Sequence, residues 1–292
     1  MVERMEIRRA DAMGMCFGVR DALQAMDGIS APSEVTVHGE LVHNGEVLRL
    51  LDRRGFRQSD EQARAVPSTP SVLITAHGVS ERERERLRAA GKRLIDTTCP
   101  LVQKAHDAAQ QLQREGRRVV VLGRAGHVEV RGIVEDLDDA LVVGSERDVR
   151  QWPQARLGVV CQTTTATERV ASLLAEIRRR NPGADVRFVD TVCNPTKARG
   201  AALEALLPVV DALVVVGGRG SNNTRQLVAR AEAQGVPALH VESAAELDEG
   251  WLAGRRAVGL TAGTSTLAAT IDAVHARLLS VAERRGGARR SG

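Results

Sequence analysis

The sequence predicts an α/β protein built from three similar lobes with mainly parallel sheets. Three observations lead there. Short runs of Val, Leu and Ile alternate with longer amphipathic, charged segments along all 292 residues. The strand-like runs are apolar on both faces, as parallel strands covered by helices must be. A short motif, Asp-Thr-x-Cys, closes one such run and then recurs at the close of another.

Strands are expected at Val35–Val37, Ser71–Thr75, Val119–Leu122, Leu157–Cys161, Val186–Asp190, Leu213–Val216 and Ala257–Leu260. Helical periodicity runs through Glu46–Arg53, which stops near Gly55, and Glu81–Ala90, which stops at Gly91. It continues in Leu101–Arg114, in Thr167–Arg180 ahead of Asn181-Pro182-Gly183, and in Thr224–Ala233. Ser80, with Glu83 three positions on, reads as a capping box for the second helix. In sheets of this kind chemistry belongs where strands end and helices begin.

Composition narrows the function classes. The chain is 43% hydrophobic and 27% charged with four cysteines, which excludes a disordered chain and a disulfide scaffold. No apolar run approaches the roughly 18–20 residues of a membrane span, and Met1–Glu6 lacks the form of a signal peptide. A cytoplasmic protein without membrane association is expected. The net charge of +4 is concentrated at one end: Arg284, Arg285, Arg289 and Arg290 fall within the last ten residues, against one glutamate. Such an end reads as frayed and solvated. With 2% aromatic residues there is little to stack on bases, so nucleic acid is not an expected partner.

The recurring motif is Asp96-Thr97-Thr98-Cys99 and Asp190-Thr191-Val192-Cys193; Cys16 also sits at an expected helix start. The spacing suggests three related lobes, 1–98, 99–192 and 193–277, with 278–292 returning to the first or fraying, and each lobe offering one cysteine to a common centre. Cys161 ends the run Leu157–Val160 and reads as a small core residue. A single cysteine taken alone is usually buried packing, and the chain has no C-x-x-C. Three cysteines at strand–helix junctions are different, because a helix N-terminus stabilises a thiolate. Three thiolates can hold zinc with one open position, or a cubane iron–sulfur cluster with one iron lacking a protein ligand. Composition does not choose between them.

Other polar groups gather at the same kind of junction. His43-Asn44 and His77-Gly78 each precede a helix. His127 and Glu129 lie two apart, which in an extended segment places both on one side as an imidazole–carboxylate pair able to relay protons. His38, His106, His240 and His275 read as ordinary core or surface residues. The turns Gly217-Gly218-Arg219-Gly220-Ser221-Asn222-Asn223 and Thr261-Ala262-Gly263-Thr264-Ser265 each follow a strand and enter a helix, and their amides and hydroxyls suit phosphate oxygens. Neither fits the P-loop or the dinucleotide fingerprint. With the histidines they describe a pocket for a strongly anionic small ligand such as a diphosphate.

The chain resembles the 4-hydroxy-3-methylbut-2-enyl diphosphate (HMBPP) reductases, the LytB/IspH family. The stretches that carry the resemblance are Cys16–Val19, Leu41–Asn44, Ala76–Val79, Asp96–Val102, Gly126–Val130, Gln162–Thr164, Asp190–Cys193, Ser221–Asn223 and Thr261–Ser265, in the family's order across nearly the whole chain. The resemblance implies three lobes around a central cluster-binding cavity, with Cys16, Cys99 and Cys193 holding one 4Fe–4S cluster whose open apical iron binds the substrate's hydroxyl oxygen. It implies that His43, His77, Ser221, Asn223 and Ser265 bind the diphosphate, that His127 lies near it, that Glu129 supplies protons and that Thr163 sits close to Glu129. The implied reaction is reductive dehydration of HMBPP to isopentenyl and dimethylallyl diphosphate, the last step of the methylerythritol phosphate pathway. Its electrons come from a ferredoxin or flavodoxin, and the protein is a monomer or dimer.

The sequence departs from the family pattern at three places. Asn222 stands where a serine is usual, so an amide replaces a hydroxyl among the diphosphate ligands. Leu267 replaces a common proline, and Pro195 replaces a small helix-compatible residue. Two rival readings keep the same residues: a zinc hydrolase of a phosphorylated small molecule with Glu129 as base, and a non-catalytic diphosphate-binding paralogue. Retention of Glu129 and all three cysteines speaks against the second.

Overall fold

The structure is a computed structural model that describes residues 5–288, with side chains to Arg284. Among these residues the strands are β1 (Glu6–Arg9), β2 (Val35–Val37), β3 (Arg57–Gln58), β4 (Ser71–Ile74), β5 (Arg93–Asp96) and β6 (Arg118–Leu122). They continue with β7 (Leu141–Val143), β8 (Arg156–Cys161), β9 (Asp185–Phe188), β10 (Ala212–Val216), β11 (Ala238–Val241) and β12 (Ala257–Ala262). The helices are α1 (Phe17–Asp27), α2 (Gly45–Arg53), α3 (Glu81–Ala89), α4 (Pro100–Arg114), α5 (Val128–Glu135), α6 (Thr167–Arg180), α7 (Asn194–Leu206), α8 (Asn222–Ala233) and α9 (Ala268–Ala288).

The strands make three four-stranded sheets, ordered β3-β2-β4-β5, β7-β6-β8-β9 and β11-β10-β12-β1, with every pair parallel. In two sheets the chain runs from the first strand (β2, β6) out to one edge and from the third (β4, β8) out to the other; the last sheet has the same spatial order, with β10 and β12 in the first and third places, but its fourth strand, β1, comes from the start of the chain. A crevice therefore opens between the carboxyl ends of the first and third strands, where ligands bind in open α/β sheets.

Burial follows from the apolar runs. In the second sheet Val120, Leu122 and Val159 point to one face and pack against Val170, Leu173, Leu174 and Ile177 of α6, which follow helical spacing. Val119, Val121 and Val160 point to the other and meet Ala105, Ala109 and Leu112 of α4 with Ile133 of α5. Edge strands are more polar: β5 (Arg-Leu-Ile-Asp) and β1 (Glu-Ile-Arg-Arg) are half exposed.

By contacts the chain forms two compact units. One takes residues up to Cys16, His43–Gly45 and the chain from Asn194 on; the other takes Phe17–Val42 and Glu46–Cys193. The first contains the β11-β10-β12-β1 sheet. The segment 1–98 expected as one lobe therefore gives up its leading strand: Glu6–Arg9 pairs with Ala257–Leu260 of β12. The helix that ends the chain packs on this same sheet, with Leu278, Val281 and Ala282 against Val258 and Leu260, rather than returning to the first lobe. Of the basic end, Arg284 pairs with Glu249 at 2.7 Å; the side chains of Arg285, Arg289 and Arg290 lie outside the described residues.

Two local readings change. Val128–Glu135 is a helix, not an extended segment, because the His127 imidazole caps it, Nδ1 accepting the Glu129 amide at 3.1 Å. Ser80 caps α3 as expected, accepting the Glu83 amide at 3.1 Å, but the Glu83 carboxylate turns instead to His38 Nε2 at 2.7 Å and to Arg86.

Candidate active site

The cysteines occupy one topological position three times. Cys16 follows β1, Cys99 follows β5 and Cys193 follows β9, each the fourth strand of its sheet, and each cysteine directly precedes a helix. The local bonding repeats as well. The amide of each cysteine donates to the carbonyl two residues beyond the third strand of the same sheet: Cys99 to Ala76 (3.1 Å), Cys193 to Thr163 (2.9 Å) and Cys16 to Thr264 (2.9 Å). The Asp-Thr-x-Cys motif has a structural reason. Asp96 Oδ1 accepts the Thr98 amide at 2.9 Å and Asp190 Oδ1 the Val192 amide at 3.0 Å, closing Asx turns. The Thr97 and Thr191 hydroxyls each donate at 2.6 Å to the carbonyl that ends the third strand, Ile74 and Cys161 respectively. In the Cys16 loop Gly14 fills the threonine position, its amide donating to Ala262 at 3.1 Å.

Cys16, Cys99 and Cys193 are all part-exposed, whereas Cys161 is fully buried in the second sheet's core, as expected. The start of α1 lies against one sulfur: a Cβ on Gly18 would lie 2.5 Å from Cys99 Sγ, so any larger residue would press on the thiol.

Within the larger unit, Glu129, Thr163, His127 and His77 gather at strand ends. Glu129, in the first turn of α5, is 1% exposed, and its Oε1 accepts the Thr163 amide at 2.6 Å. That bond joins the segments leaving β6 and β8, at the crevice of the second sheet. Because His127 Nδ1 accepts a hydrogen bond, the neutral ring carries its proton on Nε2, which makes Nε2 a donor. Its ring stands edge-on to His77, centroids 5.6 Å apart and planes at 86°.

The other unit gathers the remaining anion-binding candidates. Ser221 caps α8, accepting the Thr224 amide at 3.3 Å, with Asn222 and Asn223 buried in the first turn. Asn223 Oδ1 accepts the Thr264 amide at 3.0 Å, bridging the first- and third-strand loops of this sheet much as Glu129 and Thr163 do in theirs. Asn44 Nδ2 donates to the Ser265 carbonyl at 2.8 Å. Ser265 Oγ is buried without a hydrogen-bond partner among the described residues, a group for which a ligand oxygen is a natural complement. Gly218 admits the His43 backbone, since a Cβ there would lie 2.1 Å from the His43 carbonyl oxygen. Sequence reasoning had not singled out Arg199, whose buried guanidinium donates through Nε to the Gly14 carbonyl at 3.1 Å and through Nη1 to Pro195 at 2.9 Å.

The family model described as LytB protein matches residues 7–279. The chain belongs to the LytB family. Among its relatives is the 4-hydroxy-3-methylbut-2-enyl diphosphate reductase of Pelobacter propionicus, 35% identical over 277 residues, or 94% of this chain and 98% of that protein. The enzyme of the same name from Oleidesulfovibrio alaskensis is 36% identical over 274 residues, 92% and 97% of the two chains. A solved E-1-hydroxy-2-methyl-but-2-enyl-4-diphosphate reductase from Plasmodium falciparum superposes with a TM-score of 0.85 at 26% identity, covering 92% of this chain and 86% of that one. A second solved structure, described as (E)-4-hydroxy-3-methyl-but-2-enyl diphosphate reductase, the terminal enzyme of the non-mevalonate pathway, gives 0.65 at 31% identity over 94% and 99%.

The departures from the LytB pattern sit without disruption in the backbone. Pro195 is the second residue of α7, where a proline's missing amide is not needed. Leu267 precedes α9, and the adjoining Thr266 anchors the turn by donating from Oγ1 to Val216 at 3.0 Å. Among the described residues no helix is long and apolar enough to cross a membrane.

Proposed function

We infer that this protein is an iron–sulfur oxidoreductase that reductively dehydrates HMBPP to isopentenyl and dimethylallyl diphosphate; that its LytB relatives are named HMBPP reductases supports the reading. The observation that carries the reading is the threefold placement of a part-exposed thiol at the same point of three sheets, each directly before a helix. The donor set suits a 4Fe–4S cluster: three soft thiolates leave one iron without a protein ligand, and Gly18 lets the start of α1 lie against Cys99 Sγ, where a Cβ would come within 2.5 Å of the sulfur. When bound, the cluster supplies one-electron reduction and Lewis acidity. The reaction balances as HMBPP with two electrons and two protons giving one alkene diphosphate and water, the electrons arriving singly from a donor of the ferredoxin or flavodoxin class.

The chain's own residues do the rest. Glu129 is the buried acid that delivers a proton; the Thr163 amide fixes its Oε1 and so its reach. His127 presents Nε2–H to the anionic substrate, because its Nδ1 is engaged as the helix cap. Ser221, Asn222, Asn223, Ser265, His43 and His77 bind the diphosphate with neutral donors and imidazoles. Binding at one end of the substrate orients the allylic alcohol at the other without a large cationic patch. The test is anaerobic turnover of HMBPP with a reduced dye, together with absorbance near about 400 nm that dithionite bleaches. Colourless protein carrying one zinc would instead support the hydrolase.

A further inference from the structure

Residues 60–64 form a turn in the larger unit that no role has yet claimed. Asp60 Oδ1 accepts the amides of Gln62 at 2.8 Å and Ala63 at 2.6 Å. Two arginines hold the turn from neighbouring helices: Arg131 Nη1 donates to the Gln62 carbonyl at 2.9 Å, and Arg86 Nη2 to the Arg64 carbonyl at 2.6 Å. Arg64 itself sits in an unfavourable state. Its φ is +42°, the one positive value outside glycine among the described residues. Its side chain is 2% exposed, and Nε, Nη1 and Nη2 have no hydrogen-bond partner among those residues, with Glu135 only as near as 3.9 Å. Positive φ and an unsatisfied buried guanidinium both disfavour this conformation. The hydrogen bonds to the turn backbone and the nearby carboxylates of Glu135, Glu83 and Glu61 offset them in part.

Glu61 lies on the same turn. A carboxylate oxygen of Glu61 and a ring nitrogen of His77 lie within 4.8 Å of each other. His77 is a diphosphate ligand in the reading above, on which this inference rests. A carboxylate is an odd neighbour for an anion subsite, since a bound phosphate and an ionised Glu61 so close together repel even at the effective dielectric of a protein surface. Attraction to the imidazole helps to keep the carboxylate there when no anion is bound, beside the Glu40 amide, which donates to Glu61 Oε2 at 3.4 Å.

We propose that Glu61 competes for the anion subsite: its carboxylate engages His77 in the unliganded protein, and a ligand phosphate must displace it, the 60–64 turn carrying it away. Glu61 is thus a determinant of substrate affinity that acts through displacement rather than contact.

The experiment is calorimetric titration of the cluster-loaded protein with inorganic pyrophosphate. Glu61→Gln and Glu61→Ala should each bind at least about tenfold more tightly than the unaltered protein, equivalent to about 1.4 kcal/mol. In a His77→Ala background the Glu61→Gln gain should shrink to less than about twofold, because the shared partner is gone. Unchanged or weaker binding in both Glu61 variants, with His77→Ala still impaired, overturns the competition while leaving the diphosphate reading intact. Unchanged binding in His77→Ala alone overturns both.

Discussion

Replacing Gly18 with alanine tests whether the position of Cys99 Sγ matters to a metal centre. The added carbon would lie 2.5 Å from Cys99 Sγ and 3.1 Å from Cys99 Cβ. Non-bonded carbon contacts settle near about 3.5–4.0 Å, so the sulfur or the start of α1 must move by roughly 1 Å. In the metal-free protein this is ordinary overpacking, about 1–3 kcal/mol. Part of it is offset because alanine is better than glycine in a helix by about 0.8–1.0 kcal/mol. The variant should therefore fold, with a net loss of about 0–2 kcal/mol. Metal binding is far less forgiving, since ligand distances are held to about ±0.2 Å. After anaerobic reconstitution Gly18→Ala should hold several-fold less iron per chain and show a correspondingly weak band near about 400 nm. Gly183→Ala, whose added carbon would meet nothing within 4 Å, is the matched control. Full iron and an unchanged band in Gly18→Ala would refute a metal centre that depends on this position of Cys99 Sγ.

Glu129→Gln keeps an oxygen for the Thr163 amide but removes the acid, so turnover should fall by about 10²–10⁴ with iron content and substrate binding preserved; wild-type turnover would remove Glu129 from the proton step. Cys161→Ser should leave iron unchanged, since Cys161 is a fully buried strand residue, and iron analysis of the purified variant checks it. Acid stability should fall in two windows, read by denaturant titration across pH. Burial, assisted by the positive charge of Arg84, lowers the His106 imidazole from 6.5 to about 4. The folded state thus binds fewer protons than the unfolded one, and about 3 kcal/mol should be lost as pH falls from 6.5 through 4. His106→Leu should flatten that window. Burial alone would raise the Glu83 carboxyl, but hydrogen bonds from Arg86 and His38 outweigh it and hold it at about 2. Its contribution is present above 4.5 and lost as pH falls towards 2, so Glu83→Gln should flatten the lower window.

Central strands were legible because they are apolar on both faces: Ser71–Ile74 and Ala212–Val216 are wholly buried. Of the edge strands among the described residues only β9 was, as Val186–Asp190. Arg57–Gln58 is two polar residues, and Glu6–Arg9 has no apolar pattern strong enough to separate it from a loop. The first lobe's boundary went astray for the same reason, since spacing along a chain cannot reveal that its leading strand completes the last sheet. Helix α5 was hidden because a histidine caps it in place of the usual Ser, Thr, Asp or Asn. Glu61 left no signal at all: an acid in a polar turn gains meaning only from its distance to His77.

The Asp-Thr-x-Cys motif looks like chemistry in the sequence, yet its aspartate and threonine serve to aim the cysteine. Thr97 and Thr191 tie the fourth-strand loop to the end of the third strand, and the cysteine amide ties it again two residues further on. Two bonds on either side of one residue leave the Cα–Cβ direction little freedom. Cys16 is anchored with neither aspartate nor threonine: Gly14 donates its amide to Ala262 as Thr97 donates its own to Ile74, both at 3.1 Å, and Arg199 clasps the Gly14 carbonyl from α7. Since the Cys16 loop keeps the bonds while losing the motif, the bonds, and not the letters, are what three thiols on three sheets have in common. A repeated thiol position is therefore a property of the repeated sheet topology, whereas the proposed proton donor and anion ligands, which differ from sheet to sheet in the same first- and third-strand loops, are where one repeat is unlike another.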